Sequence, residues 1–273
     1  MDTKRIIDFV LDFQENDPAN RISEDLAKKT GYTGRKLYDG ALCGVAAADD
    51  DIIASFQKNE KANLDMIQPE EWLPGAKSVI SLFMPFARWI TEENETGGWT
   101  SDGWLHGRIE GQAAIEKAAV SLAEMISGTG AEALVPARDP RYKVFAVFAG
   151  YHEQLFSSNW SERHVAYAAG LGTFGISRGL ITELGISGRF ISLITTLSIA
   201  PTPRKYTGLY EYCNSCGKCV QACPADAISL ENLKDHNLCD ARLNHVREKE
   251  NPYYGCGKCQ CGMPCSYGIP PAL

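Results

Sequence analysis

Residues 213–224 read CNSCGKCVQACP, a CxxCxxCxxxCP run made by Cys213, Cys216, Cys219 and Cys223 with Pro224 behind them. Three thiolates on so tight a loop reach three corners of one iron cube, while the fourth cysteine, followed by proline, turns away toward a second cluster. Zinc knuckles match poorly, because they usually set two CxxC pairs far apart. The run predicts a 4Fe-4S centre on Cys213, Cys216 and Cys219, with Cys223 serving a neighbour.

A second run, YYGCGKCQCGMPCSYG at residues 253–268, is spaced CxxCxCxxxC, one residue short of the first pattern. Together with Cys239 it offers Cys256, Cys259, Cys261 and Cys265 for the ligand places still open. Ferredoxin logic gives the second cluster Cys256, Cys259 and Cys261. Alternate side chains of an extended segment diverge, however, which makes Cys261 an awkward ligand. The other solution places Cys223, Cys239, Cys256 and Cys259 on the second cluster and returns Cys265 to the first. Spacing leaves both open.

The chain around these runs has 273 residues, enough for one large domain and a small appendage. Hydrophobic residues at 44% and charged residues at 22% are ordinary for a folded soluble protein. A net charge of −7 without any basic run argues against a surface that tracks nucleic-acid phosphates. No apolar stretch approaches the roughly 18 residues of a membrane span, and the charged N-terminal segment lacks the apolar centre of a signal peptide. A cytoplasmic protein is expected. In a reducing compartment, ten cysteines serve metals or catalysis rather than disulfides, and nine of them lie between Cys213 and Cys265. Cys43 stands alone outside that group.

Upstream, apolar positions Ile6, Ile7, Val10, Leu11 and Phe13 predict a helix over 4–15, stopped by Pro18. Compact apolar runs predict buried strands within 73–86, 142–151 and 188–199, and the Ala/Glu/Leu-rich stretch 107–128 predicts a helix closed by glycine. Strands separated by a long helix indicate an α/β or α+β sheet domain. Residues 87–107 read as a polar, glycine-bearing loop whose Trp89, Trp99 and Trp104 either cap the core or form a lid or partner surface. The proline-bearing stretch 200–210 divides the chain into a domain over 1–204 and a cluster domain over 205–273.

The segment GLGTFG, Gly170 to Gly175, fits GxGxxG, but a dinucleotide site needs a strand before the glycines and a helix after them. Here a helix over 159–169 precedes them, with Asn159 as its cap and Glu162 three residues on. Gly170 then closes that helix. Gly170, Gly172 and Gly175 either form a turn or let backbone approach a large planar cofactor. Glu162 and Arg163 are neighbours on this helix. His164 and Tyr167, three apart, share a face that turns toward a cofactor or packs.

The CxxCxxCxxxCP run, the lone cysteine in HNLCDARL (236–243) and YGCGKC (254–259) together resemble the iron-sulfur half of the epoxyqueuosine reductase family, which is related to reductive dehalogenases. LPGAKSVISLFMPF (73–86) is similar to that family's first core strand, and SERHVAYAAGLGTFGIS (161–177) to its ER…AGLG…G segment. The resemblance implies one cluster on Cys213, Cys216, Cys219 and Cys265 and another on Cys223, Cys239, Cys256 and Cys259, leaving Cys261 spare. It implies a nitroreductase-like mixed sheet flanked by helices, with cobalamin or a related corrinoid between this domain and a ferredoxin-like domain carrying two 4Fe-4S clusters. Candidate cofactor-binding residues are Glu162, Arg163, His164, Tyr167, Gly170, Gly172 and Gly175; no catalytic residue is assigned.

One departure bears on the substrate: where epoxyqueuosine-reducing members carry a proton-donating aspartate, six residues before the glutamate of the ER pair, this chain has Phe156. The chain also ends at Leu273, directly after the clusters, without the helical-repeat extension of many tRNA-acting relatives. The expectation is therefore a corrinoid-linked oxidoreductase acting on a small molecule, without nucleic acid or membrane as partner. A ferredoxin- or flavodoxin-type donor would reduce the second cluster near the surface, and the first would pass electrons to cobalt. Two other readings are a non-catalytic electron-transfer or corrinoid-activating protein and a flavin-dependent reductase.

Overall fold

A computed structural model describes residues 1–57, 65–149 and 153–272, with backbone alone over 145–149 and 153–157. The first helix, α1 (Thr3–Asn16), places Ile6, Val10 and Phe13 on one buried stripe, and the Asp2 carboxylate caps it by accepting from the Arg5 amide.

The central sheet is built from β1 (Leu42–Ala47), β2 (Ser78–Pro85), β3 (Ala133–Leu134) and β8 (Gly188–Thr195), in the order β1-β2-β8-β3. Every pairing in it is antiparallel, with Val45 opposite Ile80 and Ile80 opposite Leu193. The α+β class holds. The expected mixed sheet does not: the chain returns from each crossover in the opposite direction, so no parallel pair forms among the described strands. Strand β2 is central and buried on both faces, which is why its sequence is a continuous apolar run instead of an alternation.

Two short helices, α2 (Asp51–Ala54) and α3 (Pro69–Trp72), lie between β1 and β2. After β2 come α4 (Arg88–Glu95) and the long α5 (Asp102–Ser127). The stretch 87–107 is thus not a loop. Its glycines read as breakers, but Gly107 is where the Phe86 ring presses on α5, and Ser101 caps the helix by accepting from the Trp104 amide. One side of the sheet packs Ile80, Leu82 and Leu193 against Ile6, Val10, Ile115 and Leu122 of α1 and α5. The other packs Val79 and Ile194 against Trp72, Trp160 and Val165.

Strands β4 (Val144–Ala149) and β5 (Glu153–Ser158) form a hairpin, followed by α6 (Glu162–Ala168) and a second hairpin, β6 (Gly172–Phe174) with β7 (Leu180–Thr182). The strand expected to Tyr151 is seen to Ala149, and Gly150 and Tyr151 lie outside the described residues. Ser161, not Asn159, occupies the cap position of α6; the Asn159 side chain instead accepts from the Lys143 amide and donates to the Arg141 carbonyl.

The C-terminal part carries α7 (Lys218–Gln221), a short hairpin of β9 (Ile228–Ser229) and β10 (Leu233–Lys234), and α8 (His236–Glu250). It is tied to the rest through the former loop. Trp99 and Lys28 both reach the Glu250 carboxylate, Thr100 donates to the Gly255 carbonyl, and Tyr253 donates to Glu110 at 2.8 Å. Trp99 and Trp104 therefore dock the cysteine-bearing segment, while Trp89 caps the core beside Tyr32 and Arg35. No helix among the described residues is long and apolar enough to cross a membrane.

Candidate metal centres

The tetrapeptide Cys-Gly-Lys-Cys occurs twice, at 216–219 and 256–259. Both copies fold alike. Gly217 (φ 72°) and Gly257 (φ 66°) take the left-handed conformation, and each starts a single helical turn that carries the next cysteine. Sequence spacing alone thus becomes two similar thiol-bearing loops.

Cys213, Cys216, Cys219 and Cys265 line one cavity, with Ile176, Ile181, Ile186 and Met263 among its walls. Cys265 arrives there because its carbonyl accepts from the Ile186 amide at 2.9 Å. Burial pushes Cys219 and Cys265 up to about 12; Cys259 of the other set, then Cys213 and Cys216, raise Cys219 further, and Cys219, Cys213 and Cys216 raise Cys265. The second set follows the same logic. Burial raises Cys239, Cys256 and Cys259. Cys259 is further raised by Cys256 and Cys223, and Cys239 by Cys259 and Cys223, while Lys234 pulls both the other way.

Each group thus consists of four half-buried soft donors that repel one another when ionised, the condition a positively charged iron-sulfide core relieves. Among the described residues, no three His, Cys, Asp or Glu side chains converge as closely as a lone metal ion requires. A cube with one thiolate at each corner spreads its ligands more widely.

Cys261 belongs to neither set. It is 2% exposed, packs in the main core, and accepts from Asn94 Nδ2 at 3.5 Å. Cys43 is likewise a small apolar core residue on β1, its thiol pushed up to about 12 by burial.

The α6 candidates separate into two groups. Glu162 accepts from Ser192 Oγ at 2.6 Å, and Ser192 in turn accepts from Trp160 Nε1 at 2.8 Å. The other Glu162 oxygen, Oε1, is buried with no partner among the described residues. Burial raises this carboxyl to about 8, against the opposing pull of the Ser192 hydrogen bond. Arg163 meets solvent along part of its length and donates to the Arg178 carbonyl at 2.5 Å. Burial and the Arg108 charge lower its pKa, while Cys259 and Cys239 act in the opposite sense. These two residues face the second thiol set and β8.

The others do not converge there. His164 lies between Phe56 and Phe174, pairs with Ser161 Oγ at 2.7 Å, and is lowered to about 4 by burial. Tyr167 packs on Phe174 and Tyr206. Gly170 (φ 84°) closes α6, its amide bonding Tyr167 while that of Leu171 bonds Ala166. Gly172 is the first residue of β6, so a strand follows the helix and the dinucleotide reading fails. Gly175 alone of the three glycines adjoins a candidate centre, its Cβ position lying 3.8 Å from Cys213 Sγ.

Sequence reasoning missed Arg108, Arg189 and Ser192, which border the same region. The available signal was polarity inside a strand: GRFISLITTLSI places an arginine and a serine in an apolar run.

Glu162 offers a direct test. Its folded carboxyl titrates near 8, against about 4.3 in an unfolded chain. Across that window the folded state holds a proton the unfolded state has lost, so stability falls as pH rises. Glu162→Gln is expected to remove this fall. His164, lowered in the fold, makes its own contribution as pH drops, but identically in both proteins. The difference in denaturation midpoint between wild type and variant should therefore grow in the variant's favour from about pH 5 to about pH 8; a constant difference rejects the buried acid.

Comparison with known proteins supports 4Fe-4S binding by the first cysteine run. The 4Fe-4S binding domain family matches residues 209–229. The tetrachloroethene reductive dehalogenase of Desulfitobacterium hafniense is 39% identical over 112 residues, covering 37% of this chain and 20% of that protein. An epoxyqueuosine reductase of Cyclobacterium marinum is 34% identical over 125 residues, covering 41% of this chain and 40% of its own. A solved structure of selenomethionine-labelled epoxyqueuosine reductase aligns at TM-score 0.48 and 19% identity, covering 85% of this chain and 63% of that one. The matched stretches thus span 20% and 40% of the two curated relatives. The chain is an iron-sulfur protein related to epoxyqueuosine reductases and reductive dehalogenases.

Proposed function

We propose that the chain is an oxidoreductase in which two 4Fe-4S clusters deliver electrons to a corrinoid-type cofactor held between α6, β8 and the cluster segment, where a small molecule is reduced. The observation that carries this reading is the arrangement of eight thiols in two sets of four, one of them facing a region with an unpartnered buried carboxyl oxygen and adjoining guanidinium groups. A corrinoid supplies a cobalt centre that, when reduced, acts as a strong nucleophile or single-electron reductant. The flanking sheet domain is read as nitroreductase-like, the scaffold its relatives' resemblance implies.

Cys213, Cys216, Cys219 and Cys265 would hold the first cluster, and Cys223, Cys239, Cys256 and Cys259 the second. We propose the reverse of the electron order expected above. Arg163 is influenced by Cys239 and Cys259, so the second set faces the α6 site. The first set lies beside Leu209, Tyr210, Tyr267 and Ile269, all at least 40% exposed. The exposed apolar residues beside the first set would offer a low-potential donor a docking surface, and the thiols of the second set would hold their cluster toward the α6 site. Glu162, neutral at pH 7, holds a proton within the site and takes the place of the aspartate that Phe156 replaces. Tetrachloroethene and tRNA-bound epoxyqueuosine, the substrates of relatives, differ greatly; the acidic chain and Phe156 favour a small molecule.

Anaerobic purification with reconstitution tests this. The protein should bind about eight irons and take up cobalamin or a smaller corrinoid, with corrinoid absorption bands. Iron without corrinoid uptake rejects the cobalt part, and a flavin spectrum would replace it with the third reading.

A further inference from the structure

The cations beside the α6 site are not all accounted for by thiolates. Lys234, Arg163 and Arg242 each face cysteines of the second set. Arg108 on α5 and Arg189 on β8 do not share that explanation. The charges acting on Arg189 are those of Arg108 and Arg163, with the phenols of Tyr38 and Tyr254. Arg189 donates to the Arg108 carbonyl at 3.2 Å, and Arg108 donates to Tyr254 Oη at 3.2 Å while its guanidinium lies 4.7 Å from that ring. The Nε atom of each arginine is buried and has no partner among the described residues. The nearby carboxyl, Glu162, is held neutral by its own burial.

Two neighbouring guanidinium groups that are only partly exposed, each with a buried Nε donor unused and, among the described residues, no carboxylate paired with it, destabilise a fold unless something compensates their charge. Their planar donor forks suit an oxyanion, which accepts paired hydrogen bonds from arginine in a way that a point charge does not require. Neutral ligands would leave the charge unbalanced. We propose that Arg108 and Arg189 form a binding site for an oxyanion, carboxylate or phosphate, carried by the molecule that enters between α5, β8 and α6. This rests on the reading of that region as the place of reduction. The oxyanion belongs either to the substrate or to the phosphate of a corrinoid's nucleotide tail.

The test uses the full chain with its clusters reconstituted and inorganic phosphate as probe, at constant ionic strength. The melting midpoint of wild type should rise saturably with phosphate. Arg108→Met and Arg189→Met should each raise the half-saturating concentration by about tenfold or more, and in phosphate-free buffer should melt at or above wild type, since an uncompensated charge is gone. Arg189→Lys, which keeps the charge and loses the fork, should fall between. Absence of a saturable rise in wild type overturns the proposal. So does an unchanged phosphate response in both methionine variants, or in both Arg108→Met and Arg189→Lys if Arg189→Met does not fold. The source is read from uptake: variants that lose cobalamin but keep a corrinoid lacking the phosphate assign the site to the tail, and equal retention of both assigns it to the substrate. A chain that takes up no corrinoid yet shows the phosphate response rejects the cobalt reading and leaves the oxyanion site standing.

Discussion

Replacing Cys239 by serine should remove about half of the bound iron, whereas Cys261→Ser should leave the iron content intact. Cys239 sits in the first turn of α8, its amide bonded to the Asp235 carbonyl, with Cys259, Cys223 and Lys234 around its sulfur. A serine hydroxyl there is a poor, hard donor to iron and leaves one corner of the cube unheld. Cys261 lies only four residues before Cys265 but shares neither its surroundings nor its role: its sulfur lies in the main core and receives a hydrogen bond from Asn94. That same Asn94 donates to the Cys256 carbonyl at 2.9 Å and accepts from the Ser101 amide at 3.0 Å. Serine at 261 can still accept from Asn94, so the change costs about 1–3 kcal/mol of stability through its buried hydroxyl and lost packing, without removing an iron ligand. Iron and sulfide counts on anaerobically reconstituted protein decide the matter. Loss of iron from Cys261→Ser, with Cys239→Ser unaffected, would restore the ferredoxin-type assignment.

How far these features could be read along the chain depends on the range of the interaction that makes them. The cysteine runs are legible because ligand spacing is local chemistry, and β2 and β8 because strands buried on both faces are continuous in apolar residues. Helix α1 shows its periodicity openly. The start of α5 was hidden, since Gly103 and Gly107 look like breakers until Trp89 and Phe86 are seen pressed against them. Strand β1, LCGVAA, has too few large side chains to announce itself. His164 and Tyr167 looked like cofactor residues from their spacing, but the aromatic rings they pack on come from distant segments. Arg108 and Arg189 meet only because α5 crosses β8, a juxtaposition that no window of sequence contains.

The docking of the cluster segment on α5 predicts a large effect from one methyl group, with an internal control. Gly217 and Gly257 occupy the same position in the two Cys-Gly-Lys-Cys loops and have nearly equal φ, 72° and 66°. A Cβ on Gly217 meets nothing within 4 Å, whereas one on Gly257 would lie 1.9 Å from Trp104 Cε2 and 2.0 Å from Cζ2. Gly217→Ala therefore carries only the left-handed backbone penalty, about 1 kcal/mol. Gly257→Ala carries that and must also move either the loop or the Trp104 ring, which is 5% exposed and packed edge-on against Phe86 at 5.1 Å. A total of about 2–5 kcal/mol is expected, with loss of iron from the second cluster because Cys256 and Cys259 flank the displaced residue. Melting midpoint and iron content should thus fall far more for Gly257→Ala than for Gly217→Ala. Trp104→Phe removes the clashing part of the ring, so combined with Gly257→Ala it should recover iron that the glycine variant alone has lost, the non-additive result expected of residues in contact. If the two alanine variants behave alike, or the double variant is no better than the sum of its parts, Trp104 does not seat the second cluster loop.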